Sequence, residues 1–281
     1  MKFGIVQSKN LSGIESVYQN RKANREAIED LFKKGAKVVV LPECSNSQYV
    51  MKNKNEVLTF SEPLKGESYN CWSELASFYN GYIVGGILER DNNDIYNTAI
   101  LIGPDGYIGH YRKVHLFDWE KKYLSPGNFG FPVFSLPDLD IKVGMLICYD
   151  LRFPEAVRSI ALAGCDVLLV PTTWTSIGKK ILWDDRGFCL ANYLAVAHSY
   201  SNRLAIVCAD RAGHEHDVRY LGSSLIIDSG SIVAAGPASK NCADCLIADL
   251  EPEASRNKKV GSKNDLFRDR RPESYFQPVG K

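Results

Sequence analysis

The sequence has little net charge and no long apolar run. Its 281 residues carry 34 Lys and Arg against 33 Asp and Glu, a formal net charge of +1. General nucleic-acid and membrane-surface binders use an excess of positive charge for long-range attraction, which this chain lacks. The longest apolar runs, such as Val38–Leu41 and Val167–Val170, have the length of buried strands, far below the ~18 residues of a membrane span. We therefore expect no nucleic-acid partner and no membrane partner.

The first residues also lack the pattern of an export signal. One Lys and a four-residue apolar run open the chain, whereas a signal peptide carries ~7–15 consecutive apolar residues. Without export, the eight cysteines are expected to be reduced thiols in a cytoplasmic protein. Cys242 and Cys245 form a single CxxC pair, which is half of a four-ligand zinc site. No metal is therefore expected.

Short β-rich runs alternate with helical stretches, which favours an α/β protein with helices packed outside central sheets. The predicted strands are Lys2–Gln7, Ala36–Leu41, Tyr82–Leu88, Tyr96–Ile102, Ile141–Ile147, Asp166–Val170, Leu204–Ala209, Leu221–Asp228, Ile232–Ala235 and Cys245–Asp249. The predicted helices are Tyr18–Lys34, Glu67–Tyr79, Glu155–Ala163 and Asp184–Ser201. No repeat or linker divides the chain. We expect one domain over residues 1–281, with a polar surface tail from about residue 252.

Three segments place a chemically reactive side chain among apolar residues. Glu43 follows the apolar run in VVVLPE, Lys113 lies in GHYRKVHLFD, and Cys148 follows a predicted strand in IKVGMLICYDLRFP. The carboxyl ends of strands are where α/β proteins usually form sites. Each residue alone has an ordinary alternative: a buried Cys is usually a core residue, a lone Lys is usually solvated, and a Glu after a strand can cap a turn.

In this order, the three segments resemble the Glu-Lys-Cys triad of the carbon–nitrogen hydrolase (nitrilase) superfamily. The matching motifs are LPE at 41–43, YRKVHLF at 111–117 and GMLICYDLRFPEAVR at 144–158, followed by GCDVLLVP at 164–171 and RRPESY at 270–275. The resemblance spans roughly residues 2–275. It implies a four-layer αββα sandwich, a homodimer or larger homo-oligomer, and a small-molecule amide or ureido substrate. It also implies that no cofactor is used.

The resemblance gives each residue a role that suits its chemistry. The Cys148 thiolate would be the nucleophile, and Glu43 would take its proton and return it to the departing amine. The Lys113 ammonium and the backbone N–H of Tyr149 would stabilise the oxyanion. Glu120 resembles the second glutamate of the amidase and carbamoylase branches, where it would orient Lys113. Its alternative is an exposed position in a charged loop.

Two further residues bear on the substrate. Arg152 resembles the arginine that faces the substrate carboxylate in ω-amidase-like and N-carbamoyl-amino-acid branches, a task for which its planar fork is suited. The alternative is an internal ion pair with Asp150 or Glu155. Trp174 either lines the substrate pocket or belongs to the apolar core.

The sequence around the nucleophile also bears on the branch. Tyr149 and Asp150 resemble the amidase pattern, whereas true nitrilases typically carry Trp-Glu there, so nitrile hydrolysis is kept as an alternative. The stretch Thr175–Tyr200 is longer than in the shorter amidases and closer in length to carbamoylases and aliphatic amidases. The predicted function is therefore hydrolysis of a small linear amide or N-carbamoyl compound through a Cys148 thioester. A non-catalytic protein on the same fold is the other alternative, against which the intact triad argues.

Overall fold

The computed structural model describes residues 1–176 and 182–275, and two six-stranded sheets form its centre. The first sheet contains, in spatial order, β14 (Asp244–Asp249), β1 (Lys2–Gln7), β2 (Val38–Val40), β3 (Tyr82–Asp91), β4 (Asp94–Gly103) and β5 (Gly106–Arg112). The second contains β13 (Val233–Ala235), β12 (Leu225–Ile227), β9 (Ala205–Ala209), β8 (Val167–Pro171), β7 (Ile141–Met145) and β6 (Val133–Leu136). A short hairpin, β10 (His214–Glu215) with β11 (Val218–Arg219), lies outside both sheets.

Both sheets have the same pattern of strand directions. Strands β1, β2 and β3 run parallel in the first sheet, as β7, β8 and β9 do in the second, and the outer neighbours are antiparallel. Parallel neighbours need long crossover connections, and helices form them here. The helices are α1 (Val17–Lys33), α2 (Lys54–Phe60), α3 (Glu67–Tyr79), α4 (Glu120–Tyr123), α5 (Pro154–Leu162) and α6 (Leu190–Asn202).

Three apolar layers hold these elements together and confirm the predicted αββα sandwich. The inner faces of the two sheets share one buried cluster, which includes Val40 and Val84 from the first sheet and Leu169 from the second. Helices α1 and α3 cover the outer face of the first sheet through side chains such as Leu31. Helices α5 and α6 cover the second sheet. Each such fully buried Leu or Val side chain stabilises the fold by about 1.5–3 kcal/mol.

The predicted helix Asp184–Ser201 is wrong at its start, because α6 begins at Leu190. The Asp184 carboxylate accepts hydrogen bonds from the backbone N–H of Arg186 (3.0 Å) and of Phe188 (2.8 Å), which closes a loop instead of a helical turn. Gly187 has a φ of 82°, outside the helical region. Part of the stretch Thr175–Tyr200, residues 177–181, lies outside the described residues.

The predicted strand Leu221–Asp228 is also too long, because only Leu225–Ile227 is paired. Ser223 donates its backbone N–H to the Asp210 carboxylate and Ser224 donates its own to Gln7 Oε1, so neither joins a strand ladder at that end. Strands β5 and β6 and helices α2 and α4 were not predicted. Most other element bounds differ from the prediction by one to three residues.

Beyond Glu251, a short 3-10 turn leads into a mostly exposed segment that runs to the last described residue, Tyr275. Arg256 anchors the beginning of this segment by an ion pair with Asp166 (Nε to Oδ1, 3.0 Å). Lys258 donates a hydrogen bond to the carbonyl oxygen of Asn202, the last residue of α6. Within the described residues, no helix is both long and apolar enough to cross a membrane.

Candidate active site

Glu43, Lys113 and Cys148 lie at strand ends that meet where the two sheets face each other. Glu43 follows β2, Lys113 directly follows β5, and Cys148 follows β7. Glu43 and Lys113 are completely buried and Cys148 is 8% exposed. The structure therefore brings the three predicted residues into one site, two from the first sheet and one from the second.

The Lys113 ammonium is held between two carboxylates. Its Nζ lies 2.7 Å from Glu43 Oε1, and 3.0 and 2.8 Å from the two oxygens of Glu120. Burial by itself lowers the pKa of Lys113, but the charges of Glu120 and Glu43 outweigh it and hold that pKa well above its ordinary value. The site therefore contains a permanent positive charge shielded from water.

Glu120 begins α4 and is completely buried, which excludes the exposed position considered from the sequence. Its Oε2 accepts the backbone N–H of Phe117 at 2.6 Å as well as the Lys113 ammonium. Burial raises the pKa of Glu120 to about 7, with Lys113 opposing the rise and Glu43 adding to it. Two carboxylates and one ammonium leave the cluster one negative charge in excess.

The two carboxylate oxygens of Glu43 have different surroundings. Oε1 accepts from Lys113 Nζ and from the side-chain amide of Asn97 at 2.7 Å. Oε2 is buried and has no hydrogen-bond partner among the described residues. Gly86 on β3 permits this position, because a Cβ there would lie 2.8 Å from the Glu43 Cα. Oε2 is therefore the oxygen that is free to accept a proton.

Cys148 opens a short 3-10 turn, Cys148–Arg152, with a φ of +46°. A non-glycine residue in this left-handed region is strained, and such strain clusters at functional sites. Its Sγ lies 3.6 Å from the carbonyl oxygen of Thr173. Burial raises the pKa of the Cys148 thiol, the charge of Glu43 adds to the rise, and Lys113 opposes it. The resting group is therefore a thiol, which needs a base to become a nucleophile.

Asp150 joins the Cys148–Arg152 turn to the segment that carries Lys113. One carboxylate oxygen accepts from the Tyr111 hydroxyl (2.8 Å) and from the backbone N–H of Ile147 (3.0 Å), and the other accepts the backbone N–H of His115 (2.9 Å). The ion pair between Asp150 and Arg152 that the sequence left open is thus not formed.

A cavity of 480 Å³ opens beside Cys148. Tyr149, Arg152 and Trp174 line it, together with apolar side chains that include Phe117 and Leu194. Trp174 is 7% exposed and its backbone N–H donates to Asp210 at 2.8 Å, so this residue both closes the core and faces the cavity. Among the described residues that line the cavity, Arg152 is the one with a charged side chain, and it is exposed and forms no ion pair with Glu155 there.

The family model described as carbon-nitrogen hydrolase matches residues 5–259. The chain belongs to the carbon-nitrogen hydrolase family. A nitrilase of Pyrococcus abyssi is 34% identical over 260 residues (92% of this chain, 94% of the relative). A citrullinase of Francisella tularensis is 32% identical over 293 residues (100% and 96%). An omega-amidase of Xenopus tropicalis is 32% identical over 256 residues (86% of each). The protein is thus a hydrolase that acts on carbon–nitrogen bonds.

This carbon-nitrogen hydrolase contains site residues that sequence reasoning missed. Asn97 contacts both carboxylates of the cluster, and Arg211 donates to the backbone carbonyl oxygens of Glu43 (3.2 Å) and Cys44 (2.6 Å). A signal for Asn97 was present, because the polar pair in IYNTAILIG interrupts an apolar strand and a buried polar side chain requires a partner. Within residues 1–176 and 182–275, no group of three or more His, Cys, Asp or Glu could hold a metal ion.

Proposed function

We propose that this enzyme hydrolyses a small linear amide or N-carbamoyl compound that carries a carboxylate, through a thioester on Cys148. One observation carries the proposal. A thiol at the wall of a cavity lies in a cluster whose buried carboxylate, Glu43, keeps one oxygen free while the other is bound to Lys113. A thiol, a free base and a fixed cation are what acyl transfer to sulfur needs.

In the proposed first half-reaction, Glu43 Oε2 takes the proton of the Cys148 thiol as Sγ attacks the carbonyl carbon. The carbon–oxygen double bond opens to an oxyanion, which the Lys113 ammonium and the backbone N–H of Tyr149 stabilise. The oxyanion then collapses and the carbon–nitrogen bond breaks. Glu43 delivers its proton to the departing nitrogen, so ammonia or an amine leaves and the acyl group stays on sulfur.

The second half-reaction repeats the proton transfers with water. Glu43 takes a proton from water as the oxygen attacks the thioester, and the same cation stabilises the second oxyanion. The carbon–sulfur bond breaks, the acid leaves, and the proton returns from Glu43 to the Cys148 sulfur. All charges and protons are balanced over one turnover without a cofactor.

The carboxylate on the substrate is proposed from Arg152. Its guanidinium lines the cavity beside Cys148 and is not engaged by Asp150 or Glu155. A planar guanidinium binds a carboxylate through two parallel hydrogen bonds. The names of two relatives, a citrullinase and an omega-amidase, are consistent with amide or ureido substrates that contain an acid group.

The test is product release across a matched panel of ω-amide acids, their neutral amides, ureido acids and nitriles. We expect ammonia release from at least one amide or ureido compound, and a Cys148→Ala variant that folds normally but releases none. A variant that retains near-normal release would overturn the nucleophile assignment. The nitriles test the second candidate, which the relative named nitrilase favours.

Arg152→Met separates the carboxylate proposal from a structural role. Arg152 is exposed in the structure. A hydrogen bond to a charged group contributes about 1.5–3 kcal/mol, so kcat/KM for an ω-amide acid should fall by about 10-fold or more. The neutral amide of the same length is the control and should change little. An equal loss of kcat/KM on both substrates would contradict the carboxylate proposal and would favour a neutral aliphatic amide as the substrate.

We also propose that the protein works in the cytoplasm as a homodimer or larger homo-oligomer. Large apolar side chains are exposed near the outer helices of the second sheet, including Leu162 on α5, Tyr200 on α6 and Val260 in the tail. Light scattering during size-exclusion chromatography measures the mass directly, and a monomer of 31.4 kDa at all concentrations would contradict the proposal.

A further inference from the structure

We propose that Asn97 is the positioning residue that determines which oxygen of Glu43 acts as the base. The inference rests on the proposed function, in which Glu43 accepts the Cys148 proton. Asn97 lies on β4 and is 1% exposed. Its Nδ2 donates to Glu43 Oε1 at 2.7 Å and to Glu120 Oε1 at 2.6 Å. One neutral side chain therefore joins the two carboxylates of the cluster.

Charge alone fixes the orientation of this amide. If the Asn97 oxygen faced the carboxylates of Glu43 and Glu120, three acceptors would meet without a proton between them. The nitrogen must therefore face them, and both of its N–H groups are used. The Asn97 oxygen points elsewhere, and it is buried without a hydrogen-bond partner in the described residues.

The backbone of Asn97 holds the third member of the cluster. Its carbonyl oxygen accepts the backbone N–H of Lys113 at 2.8 Å, which continues the β4–β5 ladder by one pair. Residues two apart in a strand share a face, so Asn97 lies on the same face as Ala99 and Leu101, which belong to the core between the sheets. The residue thus contacts all three charged residues from one strand, β4.

This arrangement has a consequence for the base. Glu43 Oε1 receives two donors, Lys113 and Asn97, which define the plane of the carboxylate and leave Oε2 unbound. With Lys113 as the single donor, the carboxylate can rotate about its last bond. Glu120, released from the same amide, would then compete with Glu43 for the Lys113 ammonium. Loss of Asn97 should therefore impair proton transfer and leave substrate binding nearly unchanged.

Several charged and titratable groups surround this amide, so the direction in which an added charge would shift their pKa values follows from their own charges. Those on its side of the sheet are Glu43, Cys44, Tyr49, Lys113, Glu120, Cys148, Asp210 and Arg211. On the opposite face of the sheet, the Glu89 carboxylate accepts from Arg112 and from the Thr98 hydroxyl. Asn97→Asp has nearly the same shape and places a third carboxylate beside two others. The cluster would then take up a proton at a higher pH.

The experiment compares Asn97→Asp and Asn97→Ala with Asn93→Asp, which adds the same charge at an exposed position in the turn before β4. The readouts are kcat and KM for the best substrate of the panel, and the rate at which iodoacetamide alkylates Cys148 from pH 5 to 9. We expect kcat to fall about 100-fold or more in both Asn97 variants with KM within about threefold. For Asn97→Asp, the acid limb of both pH profiles should move up by about one pH unit. Asn93→Asp should match the wild type.

Each outcome has a defined meaning. Folded Asn97→Ala with wild-type kcat, or Asn97→Asp with an unchanged alkylation profile, would overturn the inference. A fall in kcat with the same pH profile in Asn97→Asp would also overturn it, because a merely structural role predicts that result. If the wild type cleaves nothing in the panel, the proposed function fails, and the alkylation profile still decides the role of Asn97.

Discussion

Glu120→Gln should change how the stability of the protein depends on pH. In the wild type above about pH 7, where Glu120 is ionised, Glu43, Glu120 and Lys113 carry one excess negative charge in a site without solvent exposure. Removing the charge of Glu120 leaves a neutral pair of Glu43 and Lys113. Glutamine keeps the shape of the side chain, and its oxygen can accept the Asn97 amide proton. Its NH₂ group then faces the backbone N–H of Phe117, and that lost hydrogen bond weakens the variant by the same amount at every pH.

The magnitude follows from the pKa of Glu120, which burial raises from 4.5 to about 7. A raised pKa in the folded state means that the folded protein holds the proton over a pH range in which the unfolded chain has lost it. The contribution to stability is then complete below about pH 4.5 and is lost as the pH rises through about 7. The loss is ~3 kcal/mol.

The assay is urea unfolding followed by tryptophan fluorescence at several pH values between 5 and 8.5. The free energy of unfolding of the wild type should fall with rising pH by about 2–3 kcal/mol more than that of Glu120→Gln. Glu26→Gln, at an exposed position on α1, is the matched control and should follow the wild type. If the free energies of wild type and Glu120→Gln keep a constant difference over this range, the cluster takes up no proton there and the charge argument is wrong.

Three further substitutions test the geometry of the site. Lys113→Ala should lower kcat by about 10²–10³, because one oxyanion-stabilising group is lost, and a wild-type steady-state rate would refute the role. Glu43→Gln keeps the shape but removes the base, so we expect single-turnover thioester formation, measured by mass spectrometry, to be at least about 100-fold slower; an unchanged rate would exclude Glu43. Gly86→Ala should lower the free energy of unfolding, measured by thermal unfolding, by about 1–3 kcal/mol and should lower kcat, because its Cβ would lie 2.8 Å from the Glu43 Cα. Gly261→Ala in the open tail should change neither the stability nor kcat.

Much of the fold followed from sequence because the central strands are short apolar runs of unambiguous type. Lys2–Gln7 and Glu67–Tyr79 were predicted with the observed bounds. Strand β5 was missed because GYIGHYR contains two glycines and a single β-branched residue, and its pairing with β4 is a tertiary effect. The false start of α6 at Asp184 has the same origin, since helical composition does not reveal a side chain that closes a loop.

The site was predicted in part for a related reason. Glu43, Lys113, Cys148 and Glu120 lie in local motifs, so a resemblance could find them, and the structure brings them into one place. Asn97 carries no motif of its own, and its importance arises from two carboxylates that approach it from other parts of the chain. That convergence is a property of the folded molecule alone.

The division of the site between two sheets makes the enzyme sensitive to sliding of one sheet over the other. Glu43 and Lys113 move with the first sheet and Cys148 with the second. Polar ties near the site set the offset of the sheets: Thr173 Oγ1 and Arg211 donate to the Glu43 carbonyl oxygen at 3.3 and 3.2 Å, and the Tyr111 hydroxyl donates to Asp150 at 2.8 Å. Between these ties the plane between the sheets is apolar and close-packed, so a change in the size of one side chain shifts the sheets relative to each other. A substitution far from the site that alters side-chain size in this plane therefore changes the distance between the Cys148 thiol and the Glu43 carboxylate. The catalytic rate then depends on how the two sheets of the sandwich are aligned.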